Sequence, residues 1–247
     1  MDQILNSFKL QETLNPEIWD NVDSDDLAQI KLKKDIRIGL LNIAKDFVDS
    51  FKIEELEIED VHFVGSLTNY NWSNFSDIDL HVVLDKTKIS ADIDVATELF
   101  DAKKEVYNNN HDIKVKGYDV ELYAQDINEK LNSKGGVYSV LFSKWVDSPS
   151  KKEFSLDKKT ILNKVKEFNK TINNLISMDD SEEKIKKIKL FKDKLRKYRK
   201  SGLHDGGEIS NENLVFKYLR RSGIIQKLNN IKTKTHNTLL SVENVEL

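Results

Sequence analysis

This chain has no cysteine, and no stretch of it approaches the roughly 18 apolar residues that a membrane-spanning helix needs. The first absence excludes disulfides, thiolate metal centres and a cysteine nucleophile. The second argues against a membrane partner. The opening residues, MDQILNSFKL, lack the basic-then-apolar pattern of a secretory signal. Also missing are a Gly-x-x-x-x-Gly-Lys phosphate loop, a His-Glu-x-x-His zinc helix and a Gly-x-Ser-x-Gly elbow. Five scattered histidines do not suggest a zinc site. The expectation is a soluble protein of the cytoplasm.

What is present is aromatic mass and charge. Eleven Phe, seven Tyr and three Trp exclude a disordered chain. A length of 247 residues allows one large domain or two small ones and is enough for a real core. The net charge of −3 conceals an asymmetry. Residues 1–150 hold 16 Lys+Arg against 29 Asp+Glu, whereas residues 151–234 hold 23 against 11. The first part mixes helix and strand patterns, and the second reads as helix almost throughout. This divides the chain into an N-terminal extension at 1–34 that packs on the core, an α/β core at 35–150 and a basic helical domain at 151–247. A polyanion such as a nucleoside triphosphate or RNA suits the basic part. Lysine-rich helices are also common as plain solvated faces.

Residues 1–34 are acidic and irregular around Pro16 and Trp19. Ile36, Leu40, Ile43, Ala44, Phe47, Val48 and Phe51 fall at helical spacing, which predicts a helix over 34–51. Residues 61–64 predict a short strand ended by Gly65, followed by a polar loop to 76 and a strand over 77–84. A helix at 91–107, strands at 113–116 and 118–124 meeting at Gly117, and a strand-like 137–145 follow. Gly135-Gly136 breaks the chain before that last segment. Further helices are expected at 157–176, 180–200, 211–227 and 229–240. Ser210 is placed to cap the third of these, and Gly223 to interrupt or bend it. Gly202, Gly206 and Gly207 mark a loop between helices.

The chemically informative stretch is FVGSLTNYNWSNFSDIDLHVVL, residues 63–84. In a strand, residues i and i+2 share a face. Asp77 and Asp79 therefore project side by side, with Ile78 and Leu80 behind. Two adjacent carboxylates repel unless one takes a proton or a cation joins them. A divalent metal resolves this, and Mg²⁺ favours one or two carboxylates together with phosphate oxygens. Gly65 has no side chain, so its backbone can approach a phosphate closely, and the Ser66 hydroxyl can donate to one. Such a pairing suits phosphoryl or nucleotidyl transfer.

The stretch resembles the signature of the nucleotidyltransferase superfamily, the group that contains DNA polymerase beta. That signature is an apolar residue, Gly, then Gly or Ser, about ten residues, then acidic–apolar–acidic–apolar. Here it reads Val64-Gly65-Ser66, ten residues, then Asp77-Ile78-Asp79-Leu80. Ser76, ahead of the acidic pair, is also common there. The wider chain is similar to nucleotidyltransferase-like proteins encoded by tailed bacteriophages. That similarity rests on GSLTNYNWSNFSDIDLHVVLD, HDIKVKGYDVELYAQD, GVYSVLFSKWVDSP and GGEISNENLVFKYLRRSG.

The resemblance implies an α/β (α+β) fold with a mixed, mainly antiparallel sheet flanked by helices, followed by a helical part that helps hold the nucleotide. It implies transfer of an NMP from an NTP to a hydroxyl acceptor with release of pyrophosphate, assisted by Mg²⁺ or Mn²⁺. The acceptor is left open among a second nucleotide, an RNA 3′ end such as tRNA, a protein hydroxyl and a small molecule. A phage origin would place the protein in the host cytoplasm. Asp77 and Asp79 would hold the metals with a third carboxylate from a later strand. Asp119 and Glu121 both qualify, and Glu121 is favoured by its apolar neighbours Val120 and Leu122. Lys217 and Arg221, four apart on one helical face, are candidates for the triphosphate or RNA. His81 is read as a packed or supporting histidine. Tyr70, Trp72 and Phe75 either stack on a base or pack on the core. The rival readings are a nucleotide-sequestering module without turnover and an RNA-binding protein that uses the basic helices.

Overall fold

The computed structural model describes residues 2–54, 56–90, 92–130, 135–151 and 155–241. The chain divides into two units, one of residues 9–153 and one of residues 1–8 with 154–247. Among the described residues are seven helices, a six-stranded mixed sheet and a two-stranded one. None of these helices is long and apolar enough to cross a membrane.

The first unit begins with two short strands, β1 (Trp19–Asp20) and β2 (Lys31–Leu32), which pair with each other. Helix α2 (Lys34–Asp49) buries Ile36, Leu40, Ala44, Phe47 and Val48, the spacing the sequence presents. The large sheet follows as β3 (Asp60–Val64), β4 (Ile78–Leu84), β5 (Lys114–Val115), β6 (Tyr118–Asp126), β7 (Val137–Ser139) and β8 (Lys144–Asp147). Its order is β5-β6-β4-β3-β7-β8. Among the described strands only the β4–β6 pair is parallel, and the chain crosses over between them through α3 (Ile93–Asn110). The sequence reading started this helix at 91, which lies outside the described residues. Asp92 caps it by accepting from the backbone N–H groups of Asp94 and Val95.

Alternation along β4 sorts the two sheet faces. Ile78, Leu80, Val82 and Leu84 are wholly buried and join one core with α2, with Phe100 and Tyr107 of α3, and with Leu122 and Ala124 of β6. Leu14, Ile18, Trp19, Ile30 and Leu32 enter the same core, so residues 9–34 pack on it. Trp19 lies flat on Phe63 at 5.8 Å and donates its indole N–H to the Leu67 carbonyl at 2.9 Å. Asp79 and His81 face the other way, as do Glu121 and Tyr123 of β6.

The strands read as meeting at Gly117 are β5 and β6, and one other element of this unit differs from the sequence reading. The Ile113–Tyr118 region is a tight hairpin, because Lys116 and Gly117 both take positive φ (51° and 81°) in a two-residue turn. Residues 137–145 are not one strand but the ends of a second hairpin, β7 and β8. Arg37 holds that turn by donating to the carbonyls of Val140 and Leu141 at 2.8 and 2.6 Å.

The second unit packs α4 (Lys158–Ile176), α5 (Glu182–Asp205), α6 (Asn211–Arg221) and α7 (Ile224–Leu240) around Phe168, Ile172, Ile188, Phe191, Val215 and Leu219. The short helix α1 (Asp2–Asn6) belongs here rather than to an extension of the α/β core, because Leu5 and Phe8 are buried in this cluster. Asp157, Ser181 and Ser210 cap α4, α5 and α6. Gly223, expected to interrupt or bend the 211–227 helix, separates α6 from α7 with φ of 73°, and α7 runs on through 228, where a helix boundary was expected. Gly202 is not in a loop but inside α5. A Cβ there would meet the Glu212 Cβ at 2.4 Å, so only glycine admits α6 so close.

Candidate metal centre

Asp79 sits one residue into β4 and is paired in register with Glu121 of the parallel neighbour β6. Asp77 precedes the strand by one residue and falls on the same face. Their carboxylate oxygens and that of Glu121 all lie within 4.8 Å of one another. Asp77 and Asp79 are half-buried and Glu121 is exposed. Three carboxylates at this separation repel, and the repulsion is relieved by a cation placed among them. An all-oxygen, all-carboxylate donor set suits a hard divalent ion such as Mg²⁺ or Mn²⁺.

Gly65 closes the third side. Val64 at the end of β3 pairs with Asp79, and Gly65 then turns with φ 90° and ψ −157°, a conformation open essentially to glycine alone. A Cβ at this position would stand 2.1 Å from Asp79 Oδ2. The missing side chain therefore makes room for the carboxylate itself.

The turn after Gly65 is fixed by hydrogen bonds. Asn69 donates to the Gly65 carbonyl at 2.7 Å and accepts from the Gly136 N–H at 2.9 Å. The Thr68 hydroxyl lies 2.9 and 2.7 Å from the carbonyls of Gly65 and Gly136. A Cβ on Gly135 would meet Asn69 Nδ2 at 2.3 Å, and one on Gly136 the Thr68 carbonyl at the same distance. The Gly135-Gly136 pair thus does more than break the chain. It lets this segment lie against the Gly65 turn. Thr68 and Asn69 were not singled out in the sequence; the paired glycines were the available signal.

Ser66 donates to the Ser76 hydroxyl at 2.7 Å, and Ser76 also accepts from the Ser73 N–H at 3.0 Å. This ties the glycine turn to the residue before Asp77. His81 packs on Tyr123 with its Nδ1 at 3.0 Å from Gln125 Oε1, so Nδ1 carries the proton. Burial holds its pKa below the ordinary histidine value, with the Gln125 hydrogen bond opposing. Further along the same face, Asp60 accepts from the Ser139 hydroxyl at 2.7 Å and meets His62 Nε2 at 3.1 Å. This second polar group was also missed in the sequence, where its trace is Asp60 and His62 at strand spacing.

The remaining candidates are placed elsewhere. Asp119 shares a sheet face with Glu121 but stands outside the carboxylate group, its side chain bonded to Lys114. Lys217 and Arg221 belong to the helical unit and are engaged within it. Lys217 binds Glu208 at 2.6 Å, and Arg221 donates to Ser7 at 2.8 Å with its guanidinium 5.0 Å from the Phe8 ring centre. Tyr70 and Trp72 pack on the core, whereas Phe75 is exposed.

A polar cleft of about 840 Å³ opens beside Glu121, between α3 and the β5–β6 hairpin, lined by Asp101, Glu105, Asn108, Asp119 and Glu121 among others. No family model, curated protein or solved structure matches this chain.

Proposed function

We propose that this chain is a metal-dependent nucleotidyltransferase that moves an NMP from an NTP to a hydroxyl acceptor. The observation that carries this reading is the meeting of Asp77, Asp79 and Glu121 within 4.8 Å, with Gly65 packed against Asp79. These residues come from separate segments of the sequence signature and from a strand 42 positions further on, Asp79 to Glu121. The superfamily resemblance and the mixed, mainly antiparallel sheet agree with it.

Asp77, Asp79 and Glu121 would hold Mg²⁺ or Mn²⁺. When bound, such an ion neutralises triphosphate charge and lowers the pKa of an attacking hydroxyl. The chain's own part is positioning. Gly65 leaves the room that the Asp79 carboxylate occupies, and so lets that carboxylate stand in the group. Thr68, Asn69 and Gly136 keep that turn rigid before substrate arrives, which lowers the ordering cost of binding. The Ser66–Ser76 bond sets the turn against the start of β4 and so orients Asp77.

The test is an assay with each α-labelled NTP and Mg²⁺ or Mn²⁺, alone and with bulk tRNA. The label should appear in a new nucleotide, RNA or protein and should disappear with chelator. Asp77→Ala/Asp79→Ala and Glu121→Ala should each lower turnover by about 100-fold or more, on the scale of losing a preorganised charge contact. Asp119→Ala should leave it within a few-fold. Product formation that survives the double variant would overturn the reading.

A further inference from the structure

The helical unit carries a concentrated charge excess. Residues 155–241 contain 21 lysines and arginines against 10 acids. Five of those acids, Glu167, Asp180, Glu183, Asp193 and Glu208, already pair with a lysine or arginine. From Asn213 to Ser241 there is no acidic residue, while six lysines and arginines occur.

The excess has a geometry. Helix α5 buries Ile185, Ile188, Phe191 and Leu195. Beside that stripe run Lys189, Lys192, Arg196 and Lys200, at spacings of three and four, so they follow one another along one flank. Lys232 of α7 comes to the same place. Burial lowers the Lys192 pKa, and the charges of Lys232 and Arg196 lower it further. Asp193 is the acid on this flank and bonds Arg196 at 3.2 Å. The opposite flank of α5 is balanced: Lys187 bonds Glu183 at 2.7 Å, and Lys194 acts on Glu167. Like charges crowded on one side are unfavourable in the free protein and are relieved by an anion.

A separate side of α7, about half a turn around the helix from Lys232, carries hydrogen-bond donors. Asn230, Thr233, Lys234, Asn237, Thr238 and Ser241 line a groove of about 730 Å³ with amides, hydroxyls and an ammonium and, among the described residues, no carboxylate in its lining, although Asp180 acts on Lys234. These groups suit phosphate and sugar oxygens, which take most hydrogen bonds in nucleic-acid complexes. Leu190 of α5 and Leu239 and Leu240 of α7 are exposed on the same two helices. An anionic membrane would use such side chains beside the cations, and the vesicle arm of the experiment below tests it.

We propose that the basic flank of α5, with Lys232 of α7, binds nucleic acid through its phosphate backbone, without selecting bases. None of its residues belongs to the carboxylate group, so the proposal stands apart from the transferase reading. The experiment is fluorescence anisotropy of the full-length protein with a mixed-sequence single-stranded RNA oligonucleotide. The salt would be varied between about 50 and 200 mM. Affinity should fall steeply with salt, with a log–log slope of roughly −3 for four or five neutralised phosphates. The variant Lys189→Gln/Lys192→Gln/Arg196→Gln/Lys232→Gln should bind at least about tenfold more weakly and lose most of that slope. Lys189→Gln/Lys200→Gln touches only exposed side chains and should weaken binding about threefold or more even if the larger variant does not fold. Asp77→Ala/Asp79→Ala should bind as the parent does. Salt-insensitive or absent binding, unchanged affinity in both lysine variants, loss in the aspartate variant, or capture by phosphatidylserine vesicles in place of RNA would each overturn the proposal. Intact RNA binding without any nucleotidyl transfer would sink the transferase reading alone.

Discussion

Asp79 and Gly65 constrain each other, and the constraint is steric before it is chemical. With φ at 90° and Asp79 Oδ2 2.1 Å from where a Cβ would stand, Gly65→Ala meets both backbone strain and a clash. The change should cost about 1–3 kcal/mol from strain alone and should move the Asp79 carboxylate. Urea unfolding measures the first effect, and loss of the thermal stabilisation by Mg²⁺ that the proposed site predicts measures the second. A variant as stable as the parent, with the Mg²⁺ response intact, would refute the argument. Asp60 supports a prediction about pH. Burial pushes its carboxyl up, but hydrogen bonds from His62 and Ser139 prevail and hold it below the ordinary 3.8. The unfolded chain therefore takes up this proton at higher pH than the folded one. The resulting stabilisation is present above 3.8 and is lost as pH falls from there through the folded value. Asp60→Asn should flatten the acid limb of stability in that window, read from urea midpoints between about pH 5 and 3. Equal acid limbs in variant and parent would remove Asp60 from the account. The acidic pair and Gly65 were legible in the sequence because strand alternation and glycine's freedom are local rules. The choice of Glu121 over Asp119 was only half legible. It depends on the β4–β6 register and on Lys114, and the short β5 strand that carries Lys114 has no strong pattern of its own.

Elements that bury a continuous stripe were read correctly, and those set by a neighbour's shape were not. Helix α2 shows its apolar spacing openly, and Ser210 caps α6 as its position suggests. The β7–β8 hairpin was hidden, since VYSVLFSKW is apolar enough for one strand and its turn depends on Arg37, a hundred residues away in sequence. Gly202 was misread for a similar reason: nothing local shows that Glu212 will pack on it. Glycine therefore means different things in different helices, and paired substitutions separate the meanings. A Cβ on Gly39, inside α2, meets nothing within 4 Å. Gly39→Ala should stabilise by about 0.5–1 kcal/mol through helix propensity and a less flexible unfolded chain. Gly202→Ala gains the same propensity but drives its Cβ into Glu212, and overpacking of this kind costs about 1–3 kcal/mol. Opposite signs in thermal unfolding are expected. A stabilised Gly202→Ala would show that the α5–α6 contact yields easily.

At the scale of the whole molecule, the chain's first residues fold with its last hundred. Leu5 and Phe8 enter the core of the helical unit, and Arg221 stacks on Phe8 while bonding Ser7. The sequence reading placed residues 1–34 on the α/β core, and a five-residue helix is too short a pattern to name a different partner. This connection makes a test possible, because the reporters are segregated. Trp19, Trp72 and Trp145 all lie in the α/β unit, whereas α4–α7 hold most of the helix. Tryptophan fluorescence therefore follows one unit and far-ultraviolet circular dichroism mainly the other. A buried Phe→Ala change typically costs about 3 kcal/mol or more. Phe8→Ala should accordingly lower the denaturant midpoint seen by circular dichroism and leave the fluorescence midpoint in place. Chains with separate cores need not unfold in one step, so the two midpoints report separate equilibria. If both shift by the same amount, the two units unfold as a single cooperative body and the N-terminal residues stabilise all of it. If only the fluorescence midpoint moves, Phe8 belongs energetically to the α/β unit, and the assignment of residues 1–8 to the helical core is wrong.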